Sequence, residues 1–302
     1  DRVIKFLLDL IMNFIVKYIY IVFLGLACST FSIVAVDLNN GQVGSAGASC
    51  IGGSIIISDI HPGVGAIHTQ SYWSGYNQIM ASDLMDLGLS PNEIIQYLIE
   101  NDVSNNPLIR QYGIVDLYEQ GRSAAYTGES CMDYKDHIIG ENYAIQGNIL
   151  LNEQVLINME NNFISTNGTL SDKLMAALQG ANIPGADSRC LNNETSSLSA
   201  FIRVAKPLDD DDNYFLDLNI NNTNNNQEPI ELLQNLYNQW LLEQDPLGDI
   251  SGDGILNISD LIIIVDFILA NIFDSNGDMN YDEGLNIQDI VLILNIILSE
   301  EN

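Results

Sequence analysis

The stretch that decides the fold is Ala27-Cys28-Ser29-Thr30-Phe31-Ser32-Ile33-Val34-Ala35-Val36-Asp37. From Thr30 onward its side chains alternate between two faces, a pattern that predicts a β-strand. The preceding residues 6–27 are mostly apolar and carry few charges. Ala27 and Ser29 are small residues, three positions and one position before a cut that would follow Ser29, as a signal peptidase requires. That cut would make Thr30 the first residue of the mature chain.

A threonine at a free N-terminus can act as a nucleophile, because its own α-amine can accept the hydroxyl proton. The α-amine titrates near neutral pH and therefore suits the role of general base. Thr30 is thus a candidate catalytic residue. Two alternatives stay open. Secreted proteins also begin with Thr by chance, and a cut after Ala27 would expose Cys28 as in a lipoprotein, although Gly25 stands where a lipobox usually has Leu.

The segment before this junction, residues 1–29, is predicted to be a signal peptide. If translation begins at Met12, Lys17 supplies the basic start and residues 19–27 the apolar core. The alternative is an uncleaved anchor, since residues 6–27 are long enough to span a bilayer, although two charges interrupt them. No other stretch is a candidate span. We therefore expect a bacterial protein that is secreted or surface-associated, with no stable membrane span after the leader is removed.

Composition narrows the possible partners. The 302 residues include 40 acidic and 10 basic side chains, for a formal charge of -30. Such a chain lacks the basic surface that binds nucleic acid, but it suits an extracellular protein or bound cations. Cys28 lies in the predicted leader. Of the remaining Cys50, Cys131 and Cys190, we expect one disulfide and one free thiol, with Cys50 and Cys190 the favoured pair.

The order of predicted elements indicates a layered α+β or α/β domain, with sheets buried under helices. Strands are expected at residues 30–37, 42–49, 63–70, 111–116, 122–127, 143–148 and 197–205. Helices are expected at residues 73–87, from 90 onward, and at 152–163, 171–179 and 229–243.

A repeat follows near the C-terminus. Gly248–Asp260 aligns with Gly277–Asp289 at an offset of 29 residues (277 − 248), and apolar helices are expected at residues 261–273 and 290–298. Calcium takes about six to eight oxygen ligands, and a twelve-residue loop supplies them from fixed positions. The first predicted ligand set is Asp249, Ser251, Asp253, Ile255 (backbone carbonyl), Asn257 (through water) and Asp260. The second is Asp278, Asn280, Asp282, Gly284 (backbone carbonyl), Asn286 and Asp289.

The two predicted Ca²⁺ sites are not equivalent. Gly254 occupies position 6 of the first loop, where the sharp turn favours glycine. In the second loop Glu283 takes that position and Gly284 follows it, so the second site is expected to be weaker. No Lys or Arg follows Lys206. Without calcium, the carboxylates of the repeat should repel one another and the segment should fold poorly.

These loops and helices resemble a type I dockerin, which would cover residues 244–302. The resemblance implies a small all-α module with paired EF-hand-like calcium loops. It also implies a cohesin-type partner, contacted through loop positions 10 and 11, which here are Ile258/Ser259 and Ile287/Gln288. The predicted helices are apolar nearly all round, so they form either the module's core or a surface for that partner.

Residues 30–243 resemble the domain-of-unknown-function family 1028, within the Ntn-hydrolase superfamily. The residues that carry this resemblance are 30–37 (TFSIVAVD), 43–49 (VGSAGAS), 63–70 (GVGAIHTQ), 113–116 (GIVD), 126–128 (YTG), 146–148 (QGN) and 185–189 (GADSR). The resemblance implies an α+β fold, a four-layer αββα sandwich in which two stacked sheets lie between helices. Members of the superfamily hydrolyse amide bonds with an N-terminal Thr, Ser or Cys.

The resemblance also suggests roles for individual residues. Thr30 would attack a carbonyl, and Asn148, beside Gly147, would stabilise the oxyanion. Asp187 and Arg189 would pair, to orient the amine or to bind a substrate carboxylate; an Asp-x-Arg pair is also common as an internal ion pair. Three further residues are expected to line the cleft: His68, Asp116 and Thr127.

Two functions of different class follow. The first is a secreted amide hydrolase with Thr30 as nucleophile, tethered by a calcium-binding dockerin. The second is a non-catalytic, calcium-dependent attachment or binding protein that keeps only the scaffold. Fold alone does not separate them. The discriminating feature is whether processing exposes Thr30.

Overall fold

The computed structural model describes residues 27–28, 30–210, 213–224, 226–244, 247–252, 254–282 and 284–300. The predicted signal peptide up to residue 26, Ser29 of the predicted cleavage bond, and the loop residues Asp253 and Glu283 lie outside the described residues. The chain divides into two compact units at Gln234.

The first unit contains two antiparallel β-sheets. The five-stranded sheet consists of β1 (Ala27–Cys28), β4 (Ser58–His61), β5 (Gly65–Tyr72), β6 (Arg110–Asp116) and β7 (Arg122–Thr127). The six-stranded sheet has the order β11 (Leu216–Ile220), β10 (Ser199–Ala205), β3 (Gln42–Ser49), β2 (Thr30–Asp37), β9 (Tyr143–Asn148), β8 (Asp136–Ile139). In the five-stranded sheet β6 pairs with one edge of β5, while β1 and β4 pair with different parts of its other edge.

Helices cover the outer face of each sheet. Two contact the five-stranded sheet: α1 (Gly75–Asp86) and α2 (Pro91–Glu100). Two contact the six-stranded sheet: α3 (Gln154–Ser165) and α4 (Leu170–Gly180). The sheets face each other through β2 with β5 and through β6 with β9. The expectation of an α+β fold with sheets beneath helices is therefore confirmed.

Local sequence explains where these helices begin. Ser90 caps α2 and forms a reciprocal capping box with Glu93, and Pro91 occupies the first turn. Pro suits that position because its missing N–H would have no partner in the helix. The helix buries Ile94 and Leu98 against the five-stranded sheet.

Strand β2 is buried on both faces, from Thr30 to Val36. One face meets the opposite sheet and the other lies beneath α4. A disulfide joins Cys50 to Cys190 across 140 residues, and Cys131 is a buried free thiol. The favoured cysteine pairing is thus confirmed, and closure of so long a loop restricts the unfolded chain.

The remaining helices are α5 (Pro229–Gln244), α6 (Ile258–Ala270) and α7 (Ile287–Glu300). The division between the two units falls within α5. Helices α6 and α7 each begin three residues before the predicted start. For α6 the reason is that Asn257 caps the helix and forms a capping box with Asp260, so the end of the predicted calcium loop is already the first helical turn.

Substitution of Gly113 by alanine should destabilise the packing of the two sheets. A Cβ at this position of β6 would lie 1.9 Å from Oε1 of Gln146 on β9. We expect Gly113→Ala to lower the free energy of unfolding by about 1–3 kcal/mol, as overpacked cores do. Urea unfolding would measure it. The control is Gly113→Ala in a Gln146→Ser background, where the cost should be smaller; equal costs in both backgrounds would contradict this contact.

Candidate functional site

Thr30 begins β2 and is completely buried. It lies opposite Asn148 at the end of β9. On the other side of β2, Phe31 pairs with Ala48 of β3. Continuing this antiparallel register brings Thr30 opposite Ser49 at the end of β3. The start of β2 is therefore flanked by the ends of both neighbouring strands.

The segment Asp187–Cys190 crosses these strand ends. Asp187 forms a β-bridge with Leu150, just beyond the end of β9. The backbone N–H of Cys50, just beyond the end of β3, donates to Oδ2 of Asp187 at 2.7 Å. The disulfide fastens the segment to the same place. Three predicted site residues, Thr30, Asn148 and Asp187, thus come to one end of the six-stranded sheet.

Asp187 and Arg189 form the predicted ion pair; two hydrogen bonds come from the guanidinium and a third, at 3.2 Å, from the Arg189 backbone N–H. Arg189 Nε donates to Oδ1 at 3.1 Å and Nη2 donates to Oδ2 at 2.8 Å. The Asp187 side chain is fully buried, whereas 30% of the Arg189 side chain is exposed. The carboxylate is therefore committed to holding the guanidinium and the Cys50 backbone, and only the arginine reaches solvent.

Two glutamines that the sequence analysis did not single out complete the surroundings of Thr30. Gln70 Nε2 donates to the Thr30 carbonyl at 3.2 Å and to Gln111 Oε1 at 2.8 Å. Asn148 Nδ2 donates to the same Gln111 oxygen at 3.0 Å. The side chains of Gln70, Gln111 and Asn148 are buried. A lone polar residue in a strand gives little sign of such a role, because most Gln and Asn side chains lie at the surface.

A polar layer continues between the sheets from this trio. The Ser32 hydroxyl donates to Gln70 Oε1 at 2.6 Å, and Gln146 Nε2 donates to Ser32 Oγ at 2.6 Å. His68 lies 2.9 Å from Ser32 through Nδ1 and 2.5 Å from Ser45 Oγ through Nε2. A single proton on Nε2 satisfies both ring nitrogens. That N–H donates to Ser45, and Nδ1 accepts from Gln146 Nε2 at 3.2 Å, because the Ser32 hydroxyl hydrogen is donated to Gln70. Burial, together with the charge of Arg203, lowers the pKa of His68 to about 3.

Of the three residues expected to line the cleft, only Thr127 lies near the site. Its hydroxyl accepts from Gln111 Nε2 at 2.9 Å. His68 lines no cleft, because it is wholly enclosed between the sheets. Asp116 lies at the opposite end of β6 from Gln111, and the usual rise per residue separates the two by roughly 16 Å. Its carboxylate pairs with Arg122 at 2.7 Å. The expectation was wrong for His68 because its strand position places it between the sheets, and for Asp116 because it lies at the far end of its strand.

The second unit closes each predicted calcium loop around the carboxylate at its twelfth position. In the first loop, Asp260 accepts from the backbone N–H groups of Ser251 at 2.9 Å and Asn257 at 2.8 Å. In the second loop, Asp289 accepts from Met279 and Asn286, each at 2.9 Å. Both loops are therefore closed by hydrogen bonds to the carboxylate at position 12. The backbone donor nearer the start of the loop is at position 3 in the first loop and at position 2 in the second.

Buried acids are the feature of these loops that bears on metal binding. The carboxylates at the first and twelfth positions of both loops are buried: Asp249, Asp260, Asp278 and Asp289. Buried charges ordinarily need a partner charge or a metal, and residues 207–302 contain no Lys or Arg. Among the described residues, no group of three or more His, Cys, Asp and Glu side chains is arranged to hold a metal. The third acid of the first ligand set, Asp253, lies outside the part described.

The other predicted metal ligands of both loops are oxygen atoms, which suit calcium rather than a softer metal. Asn257 Nδ2 donates to the Ile255 carbonyl at 2.9 Å, so both lie on one side of the first loop. Asn280 Nδ2 donates to Asp282 Oδ2 at 2.9 Å in the second. These predicted ligands are close together, as a common centre requires.

Backbone conformation distinguishes the loops. At the fourth position the first loop has Gly252 with φ 69°, whereas the second has Tyr281 with φ 59°. A side chain in this left-handed region costs about 1 kcal/mol or more. The second loop therefore carries strain where the first uses glycine.

The family model described as "Family of unknown function (DUF1028)" matches residues 30–233. Protein SPO2555 from Silicibacter pomeroyi, whose crystal structure carries the same family designation, is 24% identical with a TM-score of 0.57; the match covers 70% of this chain and 88% of that one. At that identity the similarity concerns the fold. Anbu (ancestral beta-subunit) from Yersinia bercovieri matches at 12% identity and a TM-score of 0.35, covering 71% and 96%. No curated protein is significantly similar to the chain. None of the described helices is long and apolar enough to cross a membrane.

His68 should make stability depend on pH in a defined window. Its pKa is 6.5 in an unfolded chain and about 3 in the folded one. Above pH 6.5 it is neutral in both states. Between 6.5 and about 3 only the unfolded chain gains the proton, so stability should fall with pH by up to about 1.4 kcal/mol per unit. The measurement is urea unfolding of the wild type and of His68→Gln across this range.

The stability difference between the two proteins isolates His68 from the many titrating carboxylates. The wild type's advantage over His68→Gln should shrink as the pH falls from 6.5 toward 3. An advantage that stays constant over this range would contradict a neutral, buried His68.

Proposed function

The chain belongs to the DUF1028 family, and we propose that it is a secreted amide hydrolase with Thr30 as its N-terminal nucleophile. The observation that carries the proposal is the convergence around Thr30. Asn148 lies opposite it in the sheet, and the Asp187–Arg189 pair is fastened across the ends of the two neighbouring strands. Residues from distant parts of the sequence are thereby held at the first residue of one strand.

The proposed reaction begins after cleavage between Ser29 and Thr30. The Thr30 hydroxyl oxygen attacks the carbonyl carbon of the substrate amide, and the free α-amine takes the hydroxyl proton. The C–N bond then breaks, the amine passes that proton to the leaving nitrogen, and an ester to Thr30 remains. Water, deprotonated by the same amine, hydrolyses the ester and restores the hydroxyl.

Neighbouring side chains have roles that fit their hydrogen bonds. The Asn148 amide donates to Gln111, which orients the group that we assign to stabilising the oxyanion. Gln70 fixes the Thr30 carbonyl and hence the start of β2. Arg189 is partly exposed and braced by Asp187, so it can bind an acidic group on the substrate.

The arrangement of layers supports a place in the Ntn-hydrolase superfamily. Helices α1 and α2 lie on one sheet, α3 and α4 on the other, and the two sheets face each other. This is the αββα order expected of that superfamily, and Thr30 begins a central strand of it. Fold is only supporting evidence, because one fold can serve many chemistries.

For the second unit we propose a dockerin that binds two Ca²⁺ ions. The buried carboxylates of each loop support it, because residues 207–302 contain no Lys or Arg and a divalent cation would balance the acids. Asp249, Ser251, Asp253, Ile255, Asn257 and Asp260 would hold the first ion, and Asp278, Asn280, Asp282, Gly284, Asn286 and Asp289 the second. Bound calcium would supply charge balance and rigidity, not chemistry at Thr30.

The proposed partner of this unit is a cohesin-type module. The positions expected to contact it include Ile258 and Ile287, which are 65% and 73% exposed. Further along the two helices, Ile262 and Leu269 are also exposed. Apolar side chains in such numbers on a small unit are typical of a protein-binding surface.

The alternative function is non-catalytic attachment through the same calcium-binding unit. The observation that favours it is the pairing of β1 with β5, because the chain that precedes Thr30 is then itself part of the fold. While the peptide bond between Ser29 and Thr30 is intact, Thr30 has no free amine. Processing therefore decides between the two functions.

The first test is the N-terminal sequence and intact mass of the protein recovered outside the producing cell. We expect a start at Thr30 and turnover of at least one member of an amide-substrate panel. Thr30→Ala should abolish turnover, whereas Thr30→Ser, which keeps a hydroxyl beside the amine, should retain part of it. A start at Cys28 with a lipid mass, or an intact leader, would instead support the attachment function.

The second test is a calcium titration of the full chain by calorimetry. We expect two sites of unequal affinity and a lower melting temperature for the second unit in EGTA, because its carboxylates then repel one another. Asp249→Ala should remove the tighter site and Asp278→Ala, at the matching position, the weaker one. Two equally tight sites would contradict the strain assigned to the second loop.

A further inference from the structure

The edge of β5 next to Thr30 is occupied by a piece of the chain that processing would remove. Ala27 pairs with Tyr72 and Cys28 with Ser71, antiparallel to β5. Cys28 therefore belongs to the five-stranded sheet, and Thr30, two residues later, to the six-stranded sheet. The bond proposed for cleavage, between residues 29 and 30, joins the two.

We infer that, once this bond is cut, the vacated edge at Ser71–Tyr72 binds the acyl side of the substrate as an extended peptide. The inference rests on the proposed function and adds a substrate class to it. In the intact chain, β1 is the acyl side of the bond before Thr30. A peptide paired with β5 in the same way would bring its own carbonyl carbon to the Thr30 hydroxyl.

The edge keeps its shape without β1, because other residues hold it. Arg110 Nη1 donates to the Tyr72 carbonyl. The same guanidinium is paired with Asp102 at 2.7 Å, and both side chains are buried. Beyond β5, the N–H of Trp73 donates to the Ser71 carbonyl at 3.0 Å and forms a tight turn. None of these contacts involves β1.

The backbone at this point is unusual in a way that fits a binding edge. Ser71 has φ 70°, although it is not glycine and is buried. Non-glycine residues in this region are strained and are concentrated where a structure serves a ligand. From Gly65 to His68 the same edge of β5 is filled by β4, so the available edge is short. It suits about two residues of a partner strand.

A binding experiment tests this edge without needing catalysis. The probe is the peptide Gly-Leu-Ala-Ser-Ser, which is residues 25–29 with serine for Cys28, carrying a fluorescent label at its N-terminus and an amide at its C-terminus. The protein is the chain that begins at residue 30, in calcium, with Thr30→Ala to prevent turnover. The control is the full chain with the same substitution, whose own β1 occupies the edge. Fluorescence anisotropy should show binding to the shortened chain and at least tenfold weaker binding to the full chain.

Two N-methylated probes make the test specific for strand pairing. Neighbouring residue pairs in an antiparallel ladder alternate between hydrogen-bonded and not. Methylation of the nitrogen equivalent to Ala27 or to Cys28 should therefore have unequal effects: one should weaken binding at least tenfold, the other less than twofold. Equal effects of the two methyl groups, or equal binding by both chains, would overturn the inference.

Failure of this inference is distinguishable from failure of the proposed function. If the chain beginning at Thr30 hydrolyses small amides but the two N-methylated probes bind its Thr30→Ala variant equally well, the hydrolase proposal is supported and peptide binding at the β5 edge is rejected. If the Thr30→Ala chain binds the probe and the two N-methyl groups weaken binding unequally, while the Thr30 chain hydrolyses no amide, peptide binding at the β5 edge is supported and the catalytic proposal is rejected.

Discussion

The constraint on which the first unit depends is that polar groups buried between its sheets must be hydrogen-bonded to one another. A buried amide or hydroxyl without a partner costs more than the net gain from forming the bond. Ser32 and Gln146 lie on the six-stranded sheet, and His68 and Gln70 lie on the five-stranded sheet. The hydrogen bonds that join them form only in one relative position of the sheets. An all-apolar interface would tolerate sliding, whereas this one specifies a register.

That register also determines what surrounds Thr30. The layer ends in the trio of Gln70, Gln111 and Asn148, which joins both sheets directly at the start of β2. The disulfide and the Asp187–Arg189 pair close the same end from outside. Rigid supports of this kind are what a catalytic group requires, because small errors in position are costly in rate. The same supports would serve a binding protein. Catalysis by Thr30 therefore depends on cleavage of the bond before it, which would free its α-amine.

In the second unit the constraint is the charge of its buried carboxylates. Its carboxylates are buried in pairs, and its own sequence contains no basic side chain to balance them. Hydrogen bonds from the loop backbone orient Asp260 and Asp289 but do not neutralise their charge. In our proposal a divalent cation does so, which would make the unit's stability a function of the surrounding calcium concentration.

Sequence alone predicted most of the helices and the central strands, missed β4, β8 and β11, and favoured the cysteine pair that forms. Alternation predicted β2, Ser90 and Pro91 predicted the start of α2, and the spacing of acids predicted two related loops; these are local patterns, set by backbone geometry and capping. Thr30, Asn148, Asp187 and Arg189 were chosen from motifs, and their convergence needed the folded chain. The errors at His68 and Asp116, and the omission of Gln70 and Gln111, have one cause. Whether a polar side chain lies in a buried layer, at a site or at the far end of a strand depends on which strands become neighbours. Only tertiary structure decides that, because pairing joins residues that are far apart in the sequence.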